Sequence, residues 1–377
     1  MKKTPKNLLI LYTGGTIGMQ TSATGLIPAS GFDARLREAF AQRPAFSGVK
    51  WHFREVSPPI DSANMTQHQW LAMREAIVSA VDGDGCDAIL LLHGTDTLAY
   101  SAAALSFLLR GLPIPLVLTG AMHPADADNS DAWPNVFGAL DALQTPLNAG
   151  VWVFFHGELM AGTRASKRGS ARLDAFHDHQ RPATAADLEA LLPDYRQPRQ
   201  PVALAVLPFF PGMTTDYAEA ILNSGAHAVI LECYGNGTGP ADNPSFINAL
   251  RAARQRGVLL LAISQCPQGA VAFGQYAADS ALAACGVLSG AGLSREAALG
   301  LLFALLGAGW RYTDTGQRKA ENTDQPIRSL NFSSAANPTK ELPAAFNAGD
   351  QTHKEKCPGT TAMMPPPTPL FPGNPTR

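Results

Sequence analysis

Short runs of Leu, Ile and Val recur along this 377-residue chain, and most are followed by a turn and then by apolar residues at helical spacing. Runs at 7–12, 87–93, 114–119 and 151–156 form a first set; runs at 202–207, 226–232 and 257–263 form a second. Strands that alternate with helices pair in parallel, since a parallel partner is reached only through a long crossover. The stretch 181–201, with prolines at 182, 193, 198 and 201, separates the sets. The expected fold class is therefore α/β with two domains: a larger N-terminal domain around a parallel-type sheet, residues 1–195, and a smaller Rossmann-like C-terminal domain, residues 196–311. From about Tyr312 the sequence turns polar and weakly periodic, and residues 341–377 hold eight of the 29 prolines. Residues 312–377 are expected to be a disordered tail, because such a composition buries too little apolar surface to offset the entropy of ordering.

Charge and cysteine usage narrow the function. Lys plus Arg total 29 against 31 for Asp plus Glu, with no run of like charge, so binding to nucleic acid through bulk electrostatics is disfavoured. The five cysteines are scattered and never in C-x-x-C spacing, which argues against a disulfide framework and a structural zinc site. The N-terminal apolar run, residues 8–12, is shorter than the roughly 7–15 residues of a signal peptide core. The longest membrane-like stretch, 297–310, has 14 residues with three glycines, a length that suits a buried helix. A cytoplasmic protein without membrane or nucleic-acid partners is the expectation.

Four polar clusters follow apolar runs, where an open α/β sheet binds its ligands. Thr13-Gly14-Gly15-Thr16-Ile17-Gly18 lets the backbone turn tightly between two hydroxyls. It lacks G-x-G-x-x-G, and no G-x-x-x-x-G-K-[ST] occurs in the chain. His93-Gly94-Thr95-Asp96-Thr97 supplies a hydroxyl and a carboxylate, the elements of nucleophile activation, although Asp96 or Thr97 is also placed to cap the helix expected over 98–109. His93 is expected to pack under the strand end. Residues 59–66 (PIDSANMT) carry an N-cap signal, and Gly162-Thr163-Arg164-Ala165-Ser166-Lys167 ends on a lysine that matters only if folding brings it to the Thr/Asp cluster. There is no G-x-S-x-G elbow. His177-Asp178-His179 and His123 with Asp126 and Asp128 lack H-E-x-x-H spacing, so no metal is expected.

In this order, TGGTIGM (13–19), IDSANMT (60–66), HGTDTLAYSAAALSF (93–107), TGAMHP (119–124) and Lys167 closely resemble the bacterial L-asparaginases of the cytoplasmic, type I group. ECYGNGTGP (232–240), SQCPQGAV (264–271) and GVLSG (286–290) agree, and the resemblance covers about residues 7–308. It implies a cofactor-free hydrolase that converts asparagine to aspartate and ammonia, with subunits pairing across the site in a homodimer or homotetramer. Thr16 matches the family nucleophile. Thr95, Asp96 and Lys167 match its proton-relay group, and Asp61, Ser62 and the backbone at Ala63 match the positions that hold the substrate's α-carboxylate and ammonium.

This sequence departs from the family at three places. The flap tyrosine of many relatives is matched by Leu26, and Tyr276 is the nearest match to an alternative phenol. Some type I relatives bind a second asparagine near positions that match Ser166, Glu232 and Cys266, with an arginine where this chain has Glu232; Glu232 is expected to repel a carboxylate there. The family's C-terminal helix is not evident after about Tyr312. The alternatives are a glutamine-directed amidohydrolase, the ammonia-generating subunit of a tRNA-dependent amidotransferase, and a non-catalytic amino-acid-binding relative.

Overall fold

The first strand, β1 (Asn7–Gly14), is apolar on both faces and almost wholly buried, as a central parallel strand must be. The computed structural model describes residues 5–23, 25–27, 29, 31–43, 48–179, 191–312 and 318–320. After β1 come a short hairpin, β2 (Gln20–Ser22) with β3 (Gly25–Ile27), then α1 (Phe32–Ala41), β4 (Lys50–Ile60), α2 (Gln67–Asp82), β5 (Ala88–Leu92), α3 (Leu98–Leu108), β6 (Pro115–Thr119), α4 (Ala132–Leu143), β7 (Gly150–Phe155) and β8 (Glu158–Ala161). These build a six-stranded sheet of order β4-β1-β5-β6-β7-β8, parallel except for the antiparallel β7–β8 edge. A separate two-stranded pair follows, β9 (Ala165–Lys167) with β10 (Phe176–Asp178).

The second sheet is four-stranded and parallel: β11 (Leu204–Pro208), β12 (Ala228–Cys233), β13 (Leu259–Ser264) and β14 (Leu288–Ser289) in that order. Helices α5 (Thr215–Leu222), α6 (Pro244–Gln255) and α7 (Ala277–Ala284) connect its strands, and α8 (Arg295–Leu306) follows β14. The chain is thus the two-domain α/β protein that its apolar periodicity predicts.

The apolar stretch around 297–310 forms α8, buried on nearly every side as its composition requires. Ser294 caps α8 by accepting from the Ala297 N–H at 3.2 Å. The helix lies so close to α3 that a Cβ at Gly300 would stand 2.8 Å from the Ala104 nitrogen and 2.9 Å from the Ala103 carbonyl carbon. Backbone therefore meets backbone at that crossing. The segment between the sheets is stitched to both: the Gln67 amide donates to the Val202 carbonyl at 3.0 Å and accepts from its N–H at 2.8 Å, and Gln200 N–H donates to Gly307 O.

At the far end, β15 (Trp310–Tyr312) pairs antiparallel with β16 (Arg318–Ala320), so regular pairing extends past the boundary expected at 311. The remainder of the expected tail, 313–317 and 321–377, lies outside the described residues, as does 180–190 in the expected inter-domain stretch.

Candidate active site

Three loops leave the carboxyl edge of the larger sheet side by side, because β1 is hydrogen-bonded to both β4 and β5. Glycines let them touch. Gly15, at φ 90°, lies against the loop after β5: a Cβ there would stand 2.3 Å from Gly94 Cα. Gly94 in turn faces the loop after β4, where a Cβ would meet Ser62 Oγ at 2.5 Å, and Gly14 abuts Ile60 in the same way. Thr16 and Thr95 thus each follow a glycine of one backbone contact. Thr13 ties the first loop to β5 by donating from Oγ1 to Leu92 O at 2.9 Å, and Thr97 Oγ1 donates to Ser62 O at 2.8 Å. Ser62 is buried; Asp61 is exposed and caps the turn by accepting from the Ala63 N–H at 3.2 Å.

Folding brings Lys167 to this place from a different part of the chain. It ends β9, and its Nζ donates to Thr95 Oγ1 at 2.9 Å and to Asp96 Oδ1 at 2.7 Å. The lysine side chain is 19% exposed and that of Asp96 62%, so the pair sits at a shielded rim open on the carboxylate side. Thr95 is buried at 6% exposure. A hydroxyl, an amine and a carboxylate in one bonded group can pass a proton toward an adjacent reacting atom. The Thr16 hydroxyl makes no hydrogen bond among the described residues; its turn is braced by Met19 N–H to Thr16 O at 3.1 Å and by Ala125 N–H to Ile17 O at 3.2 Å.

That last brace belongs to a support that sequence reading missed. Asp131 is buried and accepts from the Met122 and His123 N–H groups and from Asn135 Nδ2, each at 3.0 Å, which shapes the loop after β6 that reaches Ile17. Its only signal in the sequence was the neighbouring TGAMHP. His93 packs under the strand end as expected: it is fully buried, and burial pushes its pKa down to about 4. Tyr12 is buried beside Gly18, donates to Ala29 O at 3.1 Å and is pushed up to about 12 by burial.

Other expected residues lie elsewhere. Leu26 is exposed on the β2–β3 hairpin. Tyr276 precedes α7 in the second half of the chain, 58% exposed, and no hydrogen bond joins it to the Thr95 group among the described residues. The expectation for Glu232 needs correction. It is not a free carboxylate: it is 5% exposed and held by Arg295, with Arg295 Nη2 at 2.8 Å from Oε2 and Nε bonded to Oε1. This ion pair lines a cavity of about 200 Å³ together with Tyr100, Ser264 and Glu296. Ser166 donates to Glu296 Oε1 at 2.7 Å, and Cys266 is exposed. Among the described residues no group of three or more His, Cys, Asp and Glu side chains is placed to hold a metal ion, and no helix is long and apolar enough to cross a membrane.

Comparison with known proteins gives concordant matches. The family model described as "Asparaginase, N-terminal" matches residues 7–193, and that of the "Glutaminase/Asparaginase C-terminal domain" matches 203–317. L-asparaginase 1 of Escherichia coli K12 is 35% identical over 321 residues, 80% of this chain and 92% of that protein. The human 60 kDa lysophospholipase is 32% identical over 337 residues, 80% of this chain but 58% of that one. The crystal structure of L-asparaginase I from Vibrio cholerae superposes with a TM-score of 0.67 at 32% identity, over 80% of this chain and 92% of that one.

Proposed function

The chain belongs to the asparaginase family, hydrolases of amide C–N bonds, and on that premise we propose that it hydrolyses L-asparagine to L-aspartate and ammonia through a threonyl acyl-enzyme. The observation that carries the reading is the Lys167–Thr95–Asp96 group, with bonds of 2.9 and 2.7 Å, beside a backbone contact that sets the Thr16 loop against it. A threonine hydroxyl is a weak nucleophile until a base takes its proton. In the proposed sequence Thr16 Oγ attacks the side-chain amide carbon while its proton passes into the Thr95–Lys167 pair. The proton is delivered to the leaving nitrogen, the C–N bond breaks and ammonia departs. Water then attacks the ester, releases aspartate and returns the proton to Thr16.

Asp96 gives one oxygen to Lys167, and its other oxygen, without a partner among the described residues, is available to the substrate ammonium. Buried Ser62, with Asp61 at the rim and the backbone at Ala63, lines the adjoining position for the rest of the amino acid. The same reading makes residues 1–195 and 196–311 the two domains of a cytoplasmic homodimer or homotetramer that needs no cofactor. The test is ammonia release from millimolar asparagine, assayed beside glutamine, for the native chain and for Thr16→Ala. Release that prefers asparagine and is abolished in the variant is expected. Silence of the native chain, or a Thr16→Ala variant that turns over normally, would overturn the assignment.

A further inference from the structure

Lys167 Nζ stands at the end of a flexible four-carbon stem, so its bonds to Thr95 and Asp96 persist only if the backbone of β9 is fixed. Nothing in β9 itself can do this. The β9–β10 pair has three residues per strand, outside either large sheet, and two short strands alone are marginally stable. Side chains alternate along a strand, so Ala165 and Lys167 point one way and Ser166 the other. Ala165 is buried in the same core as α3, together with Phe176 of β10, so the core holds the Ala165–Lys167 face of the pair and the Ser166 face needs a partner of its own.

We propose that Glu296 is a positioning residue for Lys167, gripping Ser166 from α8 and so holding that face of the strand. Ser166 is 6% exposed and donates from Oγ to Glu296 Oε1 at 2.7 Å, a bond between residues 130 apart in the chain. Its carbonyl lies 3.2 Å from His177 Nδ1, which ties it to β10, a strand anchored in the core on its other face by Phe176, 4.7 Å from the Phe155 ring. Glu296 is the second residue of α8, and α8 cannot shift along α3 because Gly300 brings the two backbones into contact. Helix α3 begins directly after Thr95-Asp96-Thr97. The links therefore close a ring: from Thr95 and Asp96 along α3, across to α8, through Glu296 to Ser166, along one peptide to Lys167, and back by its amine to Thr95 and Asp96. The second half of the chain thereby sets a distance within the site of the first. Removal of the Glu296 link leaves the Ser166 face of β9 with only its strand partner, and Lys167 is then held by its head group and by the apolar face of the pair.

The kinetic arm rests on the asparaginase reading; the structural arm does not. Native chain, Ser166→Ala, Glu296→Ala, the double variant combining them and Glu296→Gln are compared for kcat and KM in asparagine, with thermal melts as a check on folding, and crystal structures are determined for the native chain and the two single alanine variants. Misplacement of a reacting group by about 1 Å costs on the order of 10²-fold. Each alanine variant should lose about 10- to 100-fold in kcat with KM changed less than about twofold, and the double variant should be no worse than the poorer single. Glu296→Gln keeps the acceptor oxygen and should stay near native. In the alanine variants Lys167 Nζ should leave hydrogen-bonding distance of Thr95 Oγ1. A folded Glu296→Ala chain with the Lys167–Thr95 bond intact overturns the proposal, as does a Glu296→Gln chain as slow as Glu296→Ala. If Glu296→Ala does not fold, Ser166→Ala, which removes one hydroxyl, decides by the same criteria. If the native chain releases no ammonia from asparagine, the asparaginase reading falls, and the Lys167–Thr95 distance alone decides the role of Glu296.

Discussion

His93 gives a stability test that can be worked from the structure. Its Nδ1 is 2.7 Å from Gly94 O, its Nε2 is 2.8 Å from Ser101 Oγ, and Trp70 Nε1 donates to the same hydroxyl at 2.8 Å. A carbonyl only accepts and an indole N–H only donates, so the geometry assigns the chain of bonds one direction: Trp70 to Ser101, Ser101 to Nε2, Nδ1–H to Gly94. A second proton, on Nε2, would face the donor hydroxyl in a fully buried site, and burial lowers the pKa from 6.5 to about 4. The unfolded chain therefore binds a proton below about pH 6.5 that the folded chain refuses until about pH 4. Stability is intact above the unfolded pKa and is lost as pH falls through this window. At about pH 5 the loss is about 2 kcal/mol relative to about pH 7.5. His93→Asn keeps a donor near the Nδ1 position and cannot titrate. In urea unfolding at about pH 7.5 the variant should be less stable by about 1–3 kcal/mol, the cost of a lost buried hydrogen bond. At about pH 5 the gap should narrow by about 2 kcal/mol, because only the native chain carries the histidine penalty. A gap that stays constant between the two pH values would show that His93 takes up its proton as readily folded as unfolded, and the assigned network would be wrong.

Lys167→Met should lower kcat by roughly 10²-fold or more while barely moving the melting temperature, as the loss of a positioned base does; an unchanged rate would make Lys167 an ordinary rim charge. Gly15→Ala should abolish activity and destabilise the chain, since its Cβ would lie 2.3 Å from backbone at Gly94 and its φ is 90°, and a fully active, equally stable variant would mean the two loops are not in contact. The rate should be hyperbolic in asparagine, with a Hill coefficient near 1. A carboxylate of a second molecule at Glu232 would have to compete with that side chain for the Arg295 fork, which already holds it through Nε and Nη2. A clearly sigmoidal curve would contradict this.

The sequence was most legible where one physical cause acts alone. Central parallel strands must be apolar throughout, and β5, β6, β12 and β13 lie within a residue or two of the runs read as strands. β4 escaped because it is an edge strand: KWHFREVSPPI turns Trp51 and Phe53 to the core, carries charge elsewhere and holds Pro58 and Pro59 just before its last residue, which an edge tolerates. The glycine-threonine turn and the HGTDT loop were visible as local chemistry. Lys167 was visible only as a conditional candidate, since nothing local shows that β9 lies across α3. Arg295 and Glu296 gave no signal at all, for their partners Glu232 and Ser166 lie 63 and 130 residues away.

Strand order explains why the Thr16 and Thr95 loops meet at this edge. From β1 the chain passes through α1 to β4 on one side of it; from β4 it returns through α2 to β5 on the other, and continues outward to β6 and β7. α1 packs into the core on one face of the sheet with Phe32 and Leu36, whereas α2 and α3 pack on the opposite face with Met73, Ile77 and Leu105. The loops after β1 and β5 therefore depart to opposite faces from neighbouring strands, and a crevice opens between them, the place where open α/β sheets bind ligands. Thr16 and Thr95 flank that crevice. Gly15 and Gly94 keep its walls in contact at the base, so a side chain at either position would wedge the two threonine loops apart.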